Sequence, residues 1–180
     1  MAKHIYVIRH CEAKGQSPDA FLTEQGFHQA EILAEFFTDK QIDRIIASPF
    51  LRAIQTIEPL SKRENINVEI DERLSERILS TNDLPDWYEK LRATFTDMEL
   101  KFEGGESSNE AMERIVNVAE ETFKSESEHT IIVSHGNIIT LLLKNYNSDV
   151  DFQFWTQLSN PDVFQLSIKD HEVILERVWE

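Results

Sequence analysis

Short apolar runs rich in β-branched and aromatic residues alternate along this chain with longer segments of helical period. The runs at residues 5–8, 42–47, 67–70 and 130–133 predict buried strands. The tail, residues 163–178, predicts two further strands that turn near Lys169 and Asp170. A chain of this pattern has no internal repeat, and it predicts a sheet interleaved with helices.

Apolar positions spaced three or four residues apart predict the helices. They cover residues 22–39, 48–62, 84–102, 107–123 and 137–143. Thr23, Ser48 and Ser107 stand at predicted helix starts, with Pro49 as a favourable first residue and Glu110 completing a capping box. Strands that alternate with helices favour an α/β fold with a mostly parallel sheet and helices on both faces.

The length of 180 residues predicts one domain, residues 1–180. The helical segment that carries Trp87, Tyr88, Leu91 and Phe95 is more typical of core packing than of a substrate cage. An alternative is that these side chains line a small helical lid, around residues 84–107, over a pocket.

The charge balance bounds the partners. With 18 basic and 33 acidic side chains, the formal net charge is -15. Such a field repels nucleic acid and anionic lipid, so we expect neither as a partner. Cys11 is the single cysteine, which excludes an intrachain disulfide and fits a reducing compartment. The N-terminus, starting at Met1, has no long apolar stretch, so we expect no signal peptide and a cytoplasmic protein.

Candidate chemistry gathers where the predicted strands end. Arg9 and His10 follow the first strand, Ser48 and Arg52 follow the second, and His135 with Gly136 follows the run at 130–133. The carboxyl ends of parallel strands share one edge of a sheet. Arginine and helix N-termini both bind phosphate well. The sequence therefore predicts a phosphate site, with two Arg, two His and two helix N-termini.

Two histidines and two arginines at one phosphate suggest a division of labour. A neutral imidazole can attack phosphorus, and nearby Arg charges lower its pKa. The second His and the Arg pair would stabilise the oxygens of the transition state. A carboxylic acid is needed to protonate the leaving oxygen. Glu76 is the best candidate, and Glu12 and Glu106 are weaker ones.

These residues resemble the histidine phosphatase superfamily, also called phosphoglycerate mutase-like. The resemblance rests on six segments in family order: Arg9-His10-Cys11-Glu12, residues 22–30 (LTEQGFHQA), residues 48–56 (SPFLRAIQT), Leu74-Ser75-Glu76, Gly105-Glu106-Ser107 and Ser134-His135-Gly136. It runs from residue 5 to about residue 140, and any single segment would be weak by itself.

The resemblance implies a phosphoglycerate mutase-like α/β fold and a metal-independent phosphomonoesterase of the histidine acid phosphatase type. By resemblance, His10 is the phosphorylated nucleophile and Glu76 is the proton donor. The phosphate pocket is implied at Arg9, Arg52, His135 and Gly136. The family needs no metal and no organic cofactor, and the implied partner is a small phosphorylated substrate.

The chain departs from the family pattern near the nucleophile. Cys11 replaces the usual glycine, Ala13 replaces a common Thr, and a common Asn is replaced near Gln16. We expect Cys11 to alter access to the site without abolishing activity. Gln16, Thr23 and Glu106 are further candidates for substrate binding, and the substrate itself stays open.

Three alternatives compete with hydrolysis through His10. A mutase would return the phosphoryl group to a bound intermediate, but mutases of this family are usually longer, with insertions that exclude water. A non-catalytic phospho-ligand binding protein would be expected to have lost a catalytic residue. A cysteine-based phosphatase would need Arg six positions after Cys11, where the chain has Ser17.

Overall fold

The computed structural model describes residues 2–180, and its centre is one sheet of six strands. Met1 belongs to the N-terminal stretch for which we expect no signal peptide, and it lies outside the described residues. The strands are β1 (His4–Arg9), β2 (Arg44–Ala47), β3 (Val68–Ile70), β4 (His129–Ser134), β5 (Asp162–Lys169) and β6 (Glu172–Arg177). Their order across the sheet is β3-β2-β4-β1-β5-β6.

The half of the sheet that carries the predicted chemistry is parallel. β4 lies between β1 and β2 and pairs in parallel with both. Arg9 pairs with Ser134, and Ala47 pairs with Val133, so the three strands end at the same level. β5 and β6 run antiparallel and extend the other edge. The prediction of a mostly parallel sheet is confirmed, and so is the hairpin in the tail.

Six α-helices and one 3₁₀ turn connect the strands within the described residues. They are α1 (Glu24–Phe36), α2 (Leu51–Glu64), the 3₁₀ turn Glu72–Leu74, α3 (Trp87–Thr96), α4 (Ser108–Lys124), α5 (Gly136–Tyr146) and α6 (Phe152–Thr156). Thr23 caps α1, and Ser107 with Glu110 forms the predicted capping box of α4.

Helices cover both faces of the sheet, as predicted. On one face α1 and α2 pack on Tyr6, Ile8 and Ile131, together with Leu33 and Ile57 from the helices. On the other face α4 and α5 cover the alternate strand residues, in a larger core that also receives Leu91 from α3. Because both faces are buried, the strands have near-continuous apolar sequences.

Some predicted helix boundaries are wrong. α2 begins at Leu51, and its N-cap is Phe50 without a side-chain hydrogen bond, so Ser48 and Pro49 lie outside the helix. The Ser48 hydroxyl instead contacts His135, which lies in the site. α3 is shorter than the predicted 84–102 segment, and α6 was not predicted, since five residues carry too little periodicity.

Within residues 2–180, no helix is both long and apolar enough to cross a bilayer.

Candidate active site

His10 follows the last residue of β1 and is largely buried, with 7% of its surface exposed. Its Nδ1 lies 2.7 Å from the carbonyl oxygen of Cys11, which can only accept a hydrogen bond. The proton of the neutral ring is therefore on Nδ1, and Nε2 carries the lone pair. Arg52 Nε donates to that Nε2 at 3.2 Å, so a guanidinium lies at the nitrogen that carries the lone pair.

Burial keeps the imidazole of His10 neutral. Burial is the largest cause of the lowered pKa of His10, which is about 4. The hydrogen bond to the Cys11 carbonyl acts in the opposite direction, and the charges of Arg52 and Arg9 lower the pKa further. From the sequence, the arginine charges were the only expected cause of a lowered pKa at His10. Desolvation, which depends on the packed structure, contributes more.

Arg52, in the first turn of α2, is 1% exposed. Its Nη1 donates to the carbonyl oxygens of Gln16 and Ser17, at 3.2 Å and 2.9 Å. Its guanidinium also lies over the ring of Phe50, 5.0 Å from the ring centroid. Arg52 thus ties the loop after His10 to His10 itself.

The remaining residues of the two glutamine-containing motifs hold this loop. Gln29 accepts from Glu12 N at 2.9 Å, Gln55 accepts from Leu22 N at 2.9 Å, and Thr56 accepts from Cys11 N at 2.9 Å. A Cβ at Gly26 would come within 2.1 Å of the Glu12 carbonyl oxygen, so only glycine fits there. The motifs therefore position the backbone on both sides of His10's loop.

His135 is the N-cap residue of α5 and is fully buried next to His10. Its ring centroid lies 5.1 Å from that of His10, and its Nε2 lies 2.8 Å from Ser48 Oγ. Burial lowers the pKa of His135 well below its ordinary value, and the charges of His10, Arg52 and Arg9 act in the same direction. Its Nδ1 has no hydrogen-bond partner in the part of the chain that the structure describes.

Arg9 reaches the site from the end of β1. Its Nη1 donates to the carbonyl oxygens of Leu158 and Ser159, at 3.3 Å and 3.4 Å. Its Nε is buried without a partner among residues 2–180. A Cβ at Gly136 would lie 3.0 Å from that Nε, so the glycine leaves room for the guanidinium. The predicted phosphate residues Arg9, Arg52, His135 and Gly136 are thus brought together.

Glu76 lies beside the N-terminus of α5. Its Oε1 accepts from Ile138 N at 2.9 Å and from Arg77 N at 2.8 Å, and its Oε2 accepts from Asn137 N at 3.1 Å. Backbone N–H groups at a helix start are natural partners of a carboxylate. These bonds hold the carboxyl group of Glu76 at the N-terminus of α5, where His135 is the N-cap residue.

A cavity of about 370 Å³ opens beside these residues. Its polar wall contains Arg9, Glu76 and Gln16, with Arg77 and Asn137. Its apolar wall consists of Leu79, Trp87, Leu91 and Trp155. Glu76 and Arg9 therefore face the same space, and a phosphorylated ligand there would have its leaving group against the apolar wall.

The cavity lining includes the candidates Arg9, Gln16 and Glu76 but not His10, Arg52, His135 or Gly136. Three other candidates, Glu12, Thr23 and Glu106, also lie outside the lining and are held by contacts of their own. Thr23 caps α1 by accepting from Gly26 N at 2.9 Å. Glu12 accepts from Thr23 Oγ1 at 3.1 Å on the exposed side of the loop. Glu106 forms an ion pair with Arg114 at 2.7 Å and accepts from Ile78 N at 2.9 Å.

The contacts of Glu106 also set its charge. Burial acts to raise its pKa, but the hydrogen bonds from Arg114 and Ile78 N outweigh burial, and the pKa is lowered. Glu106 therefore stabilises the packing of α4 against residues 73–78. The cap that Thr23 forms is local and was predicted from the sequence, whereas the contact of Glu106 with Ile78 joins segments that lie 28 residues apart, which sequence spacing does not reveal.

Two residues in the tail, Asn160 and Asp162, support the site and were not predicted from the sequence. Asn160 Nδ2 donates to the carbonyl oxygen of His10 at 2.9 Å. Asp162 is fully buried, accepts from Ser159 N at 3.0 Å, and pairs with Arg177. The segment 158–162 thus holds both Arg9 and His10. The sequence signal was an Asp at the start of an apolar strand, next to an Asn-Pro pair.

Cys11 points away from the cavity. It is fully buried and packs with Leu22 and Ala30 in a small cluster. Burial raises the pKa of its thiol to about 12. The placement does not support the expectation that Cys11 alters access to the site. A thiol with so high a pKa is also a poor nucleophile at neutral pH.

Among residues 2–180, no group of three or more His, Cys, Asp and Glu side chains is arranged to hold a metal ion.

Comparison with known proteins identifies the family. The model of the histidine phosphatase superfamily (branch 1) matches residues 5–180. A Hydrogenobacter thermophilus protein named "Putative phosphoserine phosphatase 2" is 28% identical over 153 residues, which is 76% of this chain and 75% of that protein.

Solved structures share the fold. The phosphate complex of a mycobacterial glucosyl-3-phosphoglycerate phosphatase matches with a TM-score of 0.78 and 25% identity, over 98% of this chain and 96% of that one. A phosphoglycerate mutase from Bacillus anthracis str. Sterne matches with a TM-score of 0.76 and 18% identity, over 98% of this chain and 92% of that one. With a mostly parallel sheet, a phosphoglycerate mutase-like fold and phosphatase relatives, the chain belongs to the histidine phosphatase superfamily.

Proposed function

We propose that this protein is a metal-independent phosphomonoester hydrolase of the histidine acid phosphatase type, with a phosphohistidine intermediate on His10. One observation carries the proposal. The imidazole of His10 is neutral because of its burial, and its Nε2 lone pair lies 3.2 Å from Nε of the Arg52 guanidinium. A neutral imidazole next to guanidinium groups is suited to attack a phosphate dianion.

In the first step, a phosphate dianion enters between Arg9, Arg52 and His135. The Arg52 Nε–H turns from His10 Nε2 to a phosphate oxygen and frees the lone pair. Nε2 then forms a bond to phosphorus while the bond from phosphorus to the ester oxygen breaks. The unpartnered Arg9 Nε and His135 Nδ1 are the atoms proposed to bind the equatorial oxygens.

Glu76 is proposed as the acid of this step. It lies on the cavity wall with Arg9, and hydrogen bonds to the start of α5 hold its carboxyl group in place. The protonated carboxyl gives its proton to the ester oxygen, which leaves as an alcohol. General acid catalysis of this kind typically contributes 10²–10⁴-fold.

In the second step, water attacks the phosphohistidine. The carboxylate of Glu76 takes the proton of that water, the N–P bond breaks, and inorganic phosphate leaves. His10 and Glu76 return to their starting protonation states. Because the cavity beside Arg9 reaches solvent along the half-exposed Trp87, water can reach the intermediate, which supports hydrolysis over mutase chemistry.

Two further polar groups are proposed to bind the substrate. The Arg77 Nε and both side-chain amide atoms of Asn137 are buried on the cavity wall without partners in the described part of the chain. Unsatisfied buried polar groups gain most when a ligand pairs with them. Gln16 lines the same cavity from the loop that Arg52 holds.

We also propose two features that the sequence predicts. One is that the segment around 84–107, which contributes Trp87 and Leu91 to the wall, acts as a lid over a small phosphorylated substrate. The other is a cytoplasmic, reducing compartment, in which Cys11 stays a thiol.

The test combines a turnover screen with trapping of the intermediate. Purified protein is assayed for phosphate release from a panel of natural phosphomonoesters in the presence of a chelator. Brief mixing with a labelled ester and base quenching should give a phosphoprotein that is stable to base and labile to acid, with the label on His10.

Three results would contradict the proposal: no phosphate release from any ester, turnover that the chelator abolishes, or label on another residue. A parallel assay with a bisphosphoglycerate primer tests mutase chemistry. Mutase turnover well above hydrolysis would also reject the proposal.

A further inference from the structure

The apolar wall of the cavity contains two of the three tryptophans of the chain. Trp87 comes from α3 and Trp155 from α6, and both line the cavity that Arg9 and Glu76 also line. We call this pair of indoles the aromatic wall. The segments that carry it lie more than sixty residues apart in sequence, so folding, and not local periodicity, places the two rings at one cavity.

The aromatic wall belongs to a continuous cluster of rings. Tyr88 lies 5.7 Å from Trp87 and 6.4 Å from Trp155, between ring centroids. Phe152 stacks on Trp155 at 5.4 Å and contacts Tyr88 at 5.2 Å. This packing behind the wall fixes the orientation of the indoles, so the cavity side of the wall is preorganised.

A second cavity adjoins the first. Its volume is about 380 Å³, and Arg9 and Trp155 line both cavities. Trp155 therefore has free space on two sides, next to the arginine proposed to bind phosphate. A leaving group larger than a few carbon atoms has room there.

Apolar surface around the first cavity is exposed. Trp87 is 49% exposed and Tyr88 is 40% exposed. Clustered exposed apolar side chains at a cavity mark a ligand surface. Indole faces favour flat rings, since stacked or edge-to-face ring pairs contribute beyond the area they bury.

We propose that Trp87 and Trp155 select phosphomonoesters whose leaving group carries a flat aromatic ring, in preference to small polar or non-aromatic alcohols. The inference rests on the proposed hydrolase function and names its substrate class. The phosphate is held at Arg9 and Arg52, and the ring of the leaving alcohol packs on the aromatic wall.

The test uses esters that differ in the ring and hardly at all in leaving-group acidity. The esters are 3-phenylpropyl, 3-cyclohexylpropyl and n-propyl phosphate, with phosphoserine as a small polar ester. We expect kcat/KM for the phenyl ester to exceed that for the propyl ester and for phosphoserine by about tenfold. Equal values for the phenyl and cyclohexyl esters would overturn the aromatic assignment.

Variants then locate the selectivity. Trp87→Ala and Trp155→Ala should each reduce the phenyl-to-propyl ratio of kcat/KM several-fold, because only the phenyl ester loses a ring partner. The matched control is Trp179→Ala, because Trp179 packs on Phe36 and lines a different groove, with Ile32 and Glu35. A ratio that both wall variants leave unchanged, or that the control lowers equally, would overturn the proposal.

A binding measurement keeps the inference testable without turnover. Isothermal titration calorimetry measures the binding of 4-phenylbutylphosphonate and of butylphosphonate, which cannot be hydrolysed. Tighter binding of the phenyl compound, lost in both wall variants, supports the aromatic wall even if no ester is hydrolysed, whereas equal binding rejects it. Failure of the hydrolase function is seen separately, as absence of phosphate release from every ester.

Discussion

Two regions of the site differ in how they are built: the strand-end cluster of Arg9, His10, Arg52 and His135, which we call the floor, and the aromatic wall. The floor consists of side chains at the ends of β1, β2 and β4, and it is buried and dense in hydrogen bonds: Arg52 alone contacts His10, Gln16 and Ser17. The wall comes from α3 and α6, is mostly apolar, and is half exposed at Trp87.

The contrast teaches that the two regions are suited to different tasks. Parallel strand ends in fixed register hold charged groups at constant distances, which phosphoryl transfer requires. Short helices on the rim need only offer surface to a leaving group, so they can vary without disturbing the floor. We therefore expect changes in the floor to affect every substrate and changes in the wall to affect some.

The largest effect should come from His10→Ala. Loss of the nucleophile removes the covalent path, so kcat should fall by at least about 10³-fold for every ester. Phosphate release is measured, with circular dichroism to show that the fold persists. Near wild-type turnover by a folded variant would remove His10 from the chemistry and break the distinction between floor and wall.

The pH dependence of stability tests the burial of the floor. The pKa of His10 is about 4 in the folded protein against 6.5 as its ordinary value, so the unfolded chain binds more protons between these pH values. The free energy of unfolding should thus rise with pH through this window, by about 3 kcal/mol from His10 alone. Denaturant unfolding at pH 4.5 and pH 7 measures the change.

His10→Asn is the comparison for that measurement. The variant should lose less stability on acidification than wild type does, although the buried His135 still contributes in the same direction. If wild type and variant show the same loss, the burial of His10 does not set its protonation.

Glu76→Gln tests the proposed acid, which lines the cavity together with Arg9 and the aromatic wall. Gln has one oxygen, which can still accept from Ile138 N and Arg77 N, but its NH2 group would face Asn137 N, and it cannot supply the proton. We expect kcat for an alkyl phosphate to fall about 10²-fold, and for 4-nitrophenyl phosphate to fall far less, since that leaving group needs no proton. Equal losses for both esters would show that Glu76 is not the acid.

The smallest effect is expected from Thr23→Ala, which removes the cap of α1. Unfolding measurements should show a loss of about 1 kcal/mol, because Gly26 N loses its acceptor. KM should stay unchanged, because Thr23 does not line the cavity. A KM that rises several-fold with little loss of stability would restore Thr23 as a substrate residue.

Much of the floor could be predicted because its signals are local. Each apolar run predicted a strand, and reading the residues just past each strand found Arg9, His10, Arg52 and His135. The parallel pairing of β1, β4 and β2 then placed those residues at one edge. The start of α2 was wrong because Ser48 is a good cap by type but contacts His135 instead.

The sequence by itself determined the strand ends, the order of the motifs and the residue types at the phosphate site, since these depend on neighbours within one element. Only the tertiary structure decided the low pKa of His10, the contacts of Asn160 and Asp162 beneath the site, and the meeting of Trp87 with Trp155. Burial and contacts between distant segments arise when the sheet and helices pack, and no local pattern of residues records them.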